Sequence, residues 1–190
     1  MAVQLPCYFF EKHHLPGECY GRANILETLH DILLPPAAEL TSTHASRSFA
    51  LCGPGQIGKT QIAAGFAMTR KEAFDAVFWI NAESEIKLTA DFTLIAAQME
   101  LTNELDRGNA VDSRDRLLQW VNRPSRDGRC MSNEDSRHIE DVPDWLLVFD
   151  NADNPELLVY YWPGVDLGHQ SRPNGQDTFL FHIGGGPGTI

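Results

Sequence analysis

Eight residues, GPGQIGKT at 53–60, restrict the fold of this 190-residue chain more than any other feature. They fit the spacing G-x-x-x-x-G-K-[ST], in which glycines let backbone N–H groups surround a polyphosphate. Such a loop must follow a strand and open a helix, whose N-terminus adds partial positive charge. The apolar run FALC at 49–52 and the apolar periodicity after Thr60 predict both elements. A glycine-rich turn with a solvated lysine is the alternative.

Each fixed position of this loop has a chemical role in holding phosphate. Lys59 is expected to reach the β- and γ-phosphate oxygens, and the Thr60 hydroxyl to complete the ligand set of a magnesium ion. The preceding loop residues, whose backbone would surround the phosphates, are Gly53, Pro54, Gly55, Gln56, Ile57 and Gly58.

The most apolar run in the chain, WLLVFD at 145–150, ends in an aspartate. An acid at the carboxyl end of a parallel strand points into the crevice where ligands bind, so Asp150 is predicted to hold the magnesium indirectly, through a bound water or through another ligand of the ion. A structural aspartate that caps the following turn is the alternative. Asn151 comes next and cannot accept a proton at neutral pH. Asp153 is a candidate base, and it could equally cap the helix predicted to begin at Asn154.

Hydrophobic periodicity predicts an α/β chain, and the glycine-rich loop within it predicts one nucleotide-binding unit, which we place at 21–163. Residues 1–20 are expected to be irregular, 123–143 to form a polar, disordered insertion, and 164–190 to form a divergent glycine-rich tail. The other predicted elements are a helix from Arg22 to Pro35, the strand AVFWIN at 76–81, a helix capped by Ser84 and a shorter helix at 112–121.

Charge and cysteine content exclude several classes of function. The formal net charge of -11 argues against nucleic-acid or anionic-membrane partners, since either favours clustered lysine and arginine. The 4 cysteines are widely separated and the 7 histidines form no zinc-type pattern, which favours reduced thiols. No export signal or membrane span is seen, so we expect a cytoplasmic protein.

With these motifs the chain resembles the NB-ARC domain, the signal-transduction ATPase module of plant disease-resistance proteins, the animal apoptosome scaffold and many fungal NOD-like receptors. The resemblance covers about residues 5–163, and its motifs are YGR at 20–22, GPGQIGKT, FWIN at 78–81 and the run WLLVFDNAD. It implies that ADP or ATP binds with Mg²⁺, and that the loop holds the phosphates and Asp150 the metal. The residues implied to lie beside the adenine or ribose are Tyr20, Gly21 and Arg22. An exposed arginine at a helix start is the alternative for Arg22.

The resemblance implies a molecular switch that holds ADP at rest, opens on exchange for ATP, and is at most a slow ATPase. Two departures bear on this. Asn151 stands where many members carry a second acid, and the family's next strand, which ends in a sensor arginine, has no clear counterpart. Arg172 precedes the run FLFHI instead of following it. The chain therefore resembles a fragment unable to complete the switch, with any protein partners or self-association depending on further domains.

The residues are also compatible with two other functions. One is a P-loop ATPase or kinase with real turnover, and the other is an inert remnant that binds only partners. The expected fold is a three-layer α/β P-loop NTPase fold with a short, mostly parallel sheet that is incomplete at the C-terminus. In the family that the chain resembles, the strand that follows the WLLVFD position lies between the strands at 49–52 and 145–149, so the resemblance implies that its loss leaves a gap at the centre of the sheet. We therefore predict that DTFLFHI at 177–183 inserts there, and the alternative is a disordered tail and a domain that folds poorly.

Overall fold

The chain forms a layered α/β structure, described by a computed structural model. The residues that the structure describes are 3–10, 21–34, 47–102, 109–125, 143–163 and 178–183. The strands are β1 (Cys7–Phe9), β2 (Arg47–Leu51), β3 (Ala76–Asn81), β4 (Trp145–Asp150) and β5 (Thr178–Ile183). The helices are α1 (Ala23–Leu33), α2 (Lys59–Thr69), α3 (Glu85–Gln98), α4 (Ala110–Asn122) and α5 (Pro155–Leu158).

The five strands form one sheet in the order β1-β3-β4-β5-β2, and every neighbouring pair is parallel. Parallel neighbours cannot be joined by a tight hairpin, so the chain must cross over a face of the sheet between them. Both faces are thereby covered, and the central strands are buried on both sides. This arrangement brings the carboxyl ends of all five strands to one edge.

The side chains of β4 show how the layers are built. Leu147 and Phe149 lie in one apolar cluster together with residues of α3 and α4. Leu146 and Val148, on the opposite face, pack in a second cluster with residues of α1 and α2. Because successive strand residues point to opposite faces, the fully apolar run is explained by burial on both sides. The predicted three-layer P-loop fold is confirmed.

On the face of the sheet covered by α3 and α4, aromatic contacts join the helices to the sheet and to the segment after α5. Trp120 of α4 meets Phe78 of β3 edge-on, with ring centroids 5.8 Å apart. Tyr161, which follows α5, packs edge-on against Phe92 at 5.0 Å and shares a 2.8 Å hydrogen bond with the hydroxyl of Thr89. These contacts fix α3 and the segment after α5 beside the carboxyl end of the sheet.

Strand β5 lies between β2 and β4, as the sequence predicted for the run at 177–183. Its residue Phe179 is in register with Arg47 on one side and Leu146 on the other. Central backbone groups need hydrogen-bond partners on both sides, and β5 supplies them to both of its neighbours. The five strands therefore form a continuous sheet. The remainder of the predicted tail lies outside the described residues.

The prediction of an irregular segment at 1–20 is wrong at residues 7–9, which form the edge strand β1. Cys7 is in register with Ala76 of β3, and Phe9 stacks on Phe78 at 5.7 Å. Burial, with a smaller contribution from Asp75, raises the pKa of the Cys7 thiol to about 12. A strand of three residues is too short to show periodicity, which is why the sequence did not reveal it.

The starts of α3 and α5 agree with the caps predicted from the sequence, and the start of α4 does not. The side chain of Ser84 accepts a hydrogen bond from the Lys87 amide at the start of α3, and Asn154 accepts one from the Glu156 amide at the start of α5. The helix predicted at 112–121 begins earlier, because Asn109 caps it through the Val111 amide. Most of the predicted polar insertion, 126–142, lies outside the described residues. No helix in the described ranges is long and apolar enough to cross a membrane.

Removing β5 tests its central position. Deleting residues 176–190 leaves backbone groups of β2 and β4 without partners, each at a cost of about 1 to 3 kcal/mol, so we expect cooperative thermal unfolding to be lost. Circular dichroism would follow the transition. The matched control deletes only 184–190. If both truncated chains unfold at the same temperature, β5 does not belong to the sheet.

Candidate functional site

The loop between β2 and α2 has a backbone that depends on glycine. Gly58 caps α2 with φ of 91°, and Gly53 has φ of 155°, conformations that residues with a Cβ rarely adopt. A Cβ at position 53 would also lie 2.6 Å from Cδ1 of Ile57. The spacing of glycines noted in the sequence therefore corresponds to a tight turn that leads the chain into the N-terminus of an 11-residue helix.

Lys59, the first residue of α2, folds back over this loop. Its Nζ donates hydrogen bonds to the carbonyl oxygens of Gly53 at 2.8 Å and Pro54 at 2.9 Å. The ammonium group is thus held above the turn, next to the helix N-terminus, where an anion is favoured. A side chain that only extended into solvent would make neither contact. The assignment of Lys59 to phosphate stays a prediction.

Thr60 and Asp150 are separated by 90 positions in sequence and meet in the fold. The Thr60 hydroxyl donates to Oδ1 of Asp150 at 2.9 Å. Asp150 is only 2% exposed, at the carboxyl end of β4, while Thr60 lies in the first turn of α2. The sheet and the phosphate-loop helix are therefore joined through the two side chains that the sequence assigned to magnesium.

The turn after β4 adds a second donor to the same oxygen. Asn151 has φ of 58°, and its backbone N–H donates to Oδ1 of Asp150 at 3.0 Å. The two sequence interpretations of Asp150 are thus compatible, because one carboxylate contacts both the phosphate-loop helix and the following turn.

Asp153 lies near this turn with an exposed side chain. The cap of α5 is Asn154, so the capping role considered for Asp153 belongs to its neighbour. A role for Asp153 as a base stays a prediction.

Arg22 contacts the phosphate loop from the start of α1. Its Nη2 donates to the carbonyl oxygen of Ile57 at 3.0 Å, although the two residues are 35 positions apart. Gly21, with φ of 73°, turns the chain just before it. Arg22 is exposed, as one sequence interpretation held, and it is also joined to the loop. Tyr20, the remaining residue of this motif, lies outside the described residues.

Asn81, at the end of β3, lies next to Asp150 at this edge of the sheet, and Asp91, in α3, contacts Asn81. Neither was identified as a site residue from the sequence. Asn81 is in register with Asp150 on the neighbouring strand, and its backbone N–H donates to Oδ2 of Asp91 at 2.7 Å. Its side chain accepts a hydrogen bond from the Glu83 amide at 3.1 Å. Asn81 could have been found in the sequence as a polar residue that ends an apolar strand, which is the pattern that identified Asp150. No such pattern marks Asp91.

The residues present fit a magnesium–nucleotide complex. A hydroxyl and a carboxylate supply the oxygen ligands that Mg²⁺ prefers, and this ion is commonly held by one or two protein groups together with phosphate oxygens. No group of three or more histidine, cysteine, aspartate or glutamate side chains able to hold a metal occurs within the described ranges. At Thr60 and Asp150, the remaining ligands would therefore come from phosphate and water.

Comparison with known proteins shows a likeness in fold. Neither the protein-family models nor the curated proteins contain a match to this chain. Among solved structures, Cdc6p from Pyrobaculum aerophilum is similar, with a TM-score of 0.53 at 15% sequence identity. The match covers 92% of this chain and 41% of that chain, so this chain spans less than half the length of its structural neighbour. The likeness supports a P-loop NTPase-like fold, and it does not single out the NB-ARC family.

Replacing the buried acid tests the metal assignment. We expect Asp150→Asn to weaken ATP binding in magnesium by about tenfold or more, because a contact to a charged group contributes about 1.5 to 3 kcal/mol. Binding in EDTA should change much less. Calorimetry with a non-hydrolysable ATP analogue measures both, and Glu156→Gln, which removes an exposed acid after the same strand, is the control. Equal losses in the two buffers would place Asp150 outside the metal site.

A pair of ligands distinguishes the two roles of Arg22. If Arg22 acts by holding the loop through Ile57, Arg22→Ala should weaken ADP and inorganic pyrophosphate alike, by about two- to tenfold for one hydrogen bond. If it contacts the adenine or ribose, only ADP should weaken. Arg70→Ala removes another exposed arginine, at the far end of α2, and serves as the control. Unchanged affinity for pyrophosphate would contradict the role in holding the loop.

Proposed function

We propose that this chain is an adenine-nucleotide-binding module that uses Mg²⁺, and that it belongs to a signalling switch of NB-ARC type. The observation that carries the proposal is the 2.9 Å hydrogen bond between Thr60 and Asp150. Two motifs distant in sequence supply a hydroxyl and an acid to one place, beside a loop fit to surround phosphate. A glycine-rich turn with a purely structural role would not require the hydrogen bond between Thr60 and Asp150.

The loop residues have separate tasks in such a site. Backbone N–H groups at the start of α2 attract the phosphates, aided by the helix dipole. Lys59 would exchange its carbonyl partners for phosphate oxygens, to which its charge binds more strongly. Thr60 and Asp150 would hold the magnesium, which neutralises phosphate charge when bound.

Two features support a switch with slow or no turnover. Asn151, which cannot accept a proton, follows the strand aspartate, so no strong base stands at that position. Arg22 joins the helix of the YGR motif to the phosphate loop, which gives α1 a direct contact with the residues that would sense phosphate. We propose that ADP is the resting ligand, that Gly21 and Arg22 lie close to it together with Tyr20, and that any hydrolysis uses Asp153.

A working P-loop ATPase is the second candidate, and Asp91 favours it. This half-buried acid contacts the backbone of Asn81, beside Asp150, so the crevice has a further group able to accept a proton. Steady-state turnover of ATP separates the candidates. A switch releases phosphate more slowly than it exchanges nucleotide, whereas a working ATPase releases it repeatedly.

The switch also implies further domains, partners and a cellular location for this module. A switch that opens when ATP replaces ADP requires domains that change position relative to the nucleotide-binding module. We propose that protein partners or self-association would involve such further domains. We propose a cytoplasmic location, in keeping with the reduced thiols expected from the sequence.

Lys59 provides the direct test of nucleotide binding. Denaturing the purified chain should release ADP, identified by anion-exchange chromatography. Lys59→Ala should weaken ADP by about ten- to a hundredfold, since it removes a charge-assisted contact worth about 1.5 to 3 kcal/mol. Lys87→Ala, which removes an exposed lysine of α3, is the matched control. If calorimetry finds the same ADP affinity in both variants, the assignment of Lys59 is wrong.

A further inference from the structure

Helix α3 has apolar side chains on two opposite faces. Its inner face packs in the core, and the buried residues there are Leu88, Phe92, Ile95 and Ala96. Its outer face carries a second row of apolar residues at intervals of about one helical turn, namely Ile86, Ala90, Leu94 and Ala97. These intervals place the row along one side of the helix. We call this row the outer stripe of α3.

The outer stripe is open to solvent. Ile86 is 82% exposed, the highest value among the exposed large apolar side chains of the described residues, and Leu94 is 55% exposed. Ala90 and Ala97 are exposed as well. Single exposed apolar residues are common on proteins, whereas a continuous apolar row is typical of a binding surface. A helix that is apolar on both faces is expected to be buried on both.

The charged residues at the ends of the outer stripe are acids. Glu85 lies at its N-terminal end and Glu100 just beyond its C-terminal end, and both side chains are exposed. Lys87 is the one cationic residue in the sequence of α3, and it is already paired with Glu83. The stripe therefore has negative charge at both ends, and no cation of α3 is left to offset it.

We propose that the outer stripe of α3 binds an amphipathic helix of a protein partner, with lysine or arginine at both ends of the apolar face of that helix. Binding would remove Ile86 and Leu94 from water, and the cations would meet the acids at the two ends. Ala90 leaves a hollow between the two larger side chains, which fits a bulky apolar residue of the partner. The stripe is about 17 Å long, so a partner helix of about three turns covers it.

Charge favours this partner over two alternative occupants. If two copies of α3 packed in antiparallel orientation, Glu85 of one copy would lie near Glu100 of the other. In parallel orientation each acid would lie near its own equivalent, and like charges that face each other are unfavourable in both cases. The chain has a net charge of -11, so an anionic membrane surface would also be repelled. A cationic helix is attracted to the same acids.

A labelled helical peptide provides the first measurement. The probe has about 15 residues, with leucines at the spacing of the stripe and lysines at both ends, and a matched peptide has glutamate in place of each lysine. Fluorescence anisotropy should show that the wild-type chain binds the lysine peptide at least about tenfold more tightly than the glutamate peptide. Equal affinity for the two peptides, or no binding of the lysine peptide, would overturn the proposal. The measurement uses no nucleotide, so its result is independent of the proposed function.

Substitutions in the stripe locate the binding site. Leu94→Gln removes an exposed apolar side chain, and Ala90→Arg fills the hollow with a cation, so each should weaken the lysine peptide by at least about fivefold. Ile32→Gln removes an exposed apolar side chain from α1 and is the control, with less than about a twofold change expected. Glutamine and arginine are good helix formers, and circular dichroism would verify that each variant is folded. If Leu94→Gln and Ile32→Gln have the same effect, the peptide binds elsewhere and the proposal is wrong.

The acids at the ends of the stripe are tested by a double variant. Glu85→Gln combined with Glu100→Gln should weaken the lysine peptide by about threefold and reduce the dependence of its affinity on salt, because exposed ion pairs are screened. The same affinity and salt dependence as in the wild-type chain would contradict the choice of a cationic partner.

The alternative occupants are tested on the free chain. Sedimentation should detect no dimer formed through the stripe, and vesicles of phosphatidylcholine should bind no protein. A dimer that Leu94→Gln dissociates would assign the stripe to a second copy. Vesicle binding that this variant abolishes would assign it to lipid, and either result would overturn the proposal.

Discussion

A buried carboxylate that needs hydrogen-bond donors organises this structure. Asp150 ends the most apolar strand of the chain and is almost wholly removed from water, so its charge must be matched by nearby donors. Thr60 and the Asn151 amide provide two of them, one from α2 and one from the turn after β4. The parallel sheet makes the meeting possible, because it brings the end of β4 and the loop after β2 to the same edge. The fold and the candidate site thus share one interaction.

Much of this could be predicted from residue type and spacing. The glycine pattern predicted the loop because Gly53 and Gly58 adopt positive φ, which residues with a Cβ rarely do. The runs at 76–81 and 145–150 are apolar because both faces of those strands are covered. The central place of β5 followed from the strand order that the resemblance implies, together with the need of the backbone groups of β2 and β4 for hydrogen-bond partners.

Other features depend on tertiary contacts that no local pattern encodes. Strand β1 has three residues and is defined by its pairing with β3. The contact of Arg22 with the Ile57 carbonyl depends on how α1 packs beside the loop, and the sequence offered an exposed arginine as an equal interpretation. From the sequence, Asn151 was notable only because many NB-ARC members have a second acid at this position. The structure adds its backbone N–H, which donates to Oδ1 of Asp150 at 3.0 Å.

The position of β5 also sets the order in which the molecule can be assembled. During synthesis β2 and the phosphate loop emerge from the ribosome early. Among the residues that the structure describes, however, β2 pairs only with β5, which ends at Ile183. The loop therefore lacks its final support until the chain has been made through that residue. Pairings between such distant segments form slowly and leave strand edges open in the meantime. Chaperones that shield unpaired strands would find a long-lived substrate in the nascent chain.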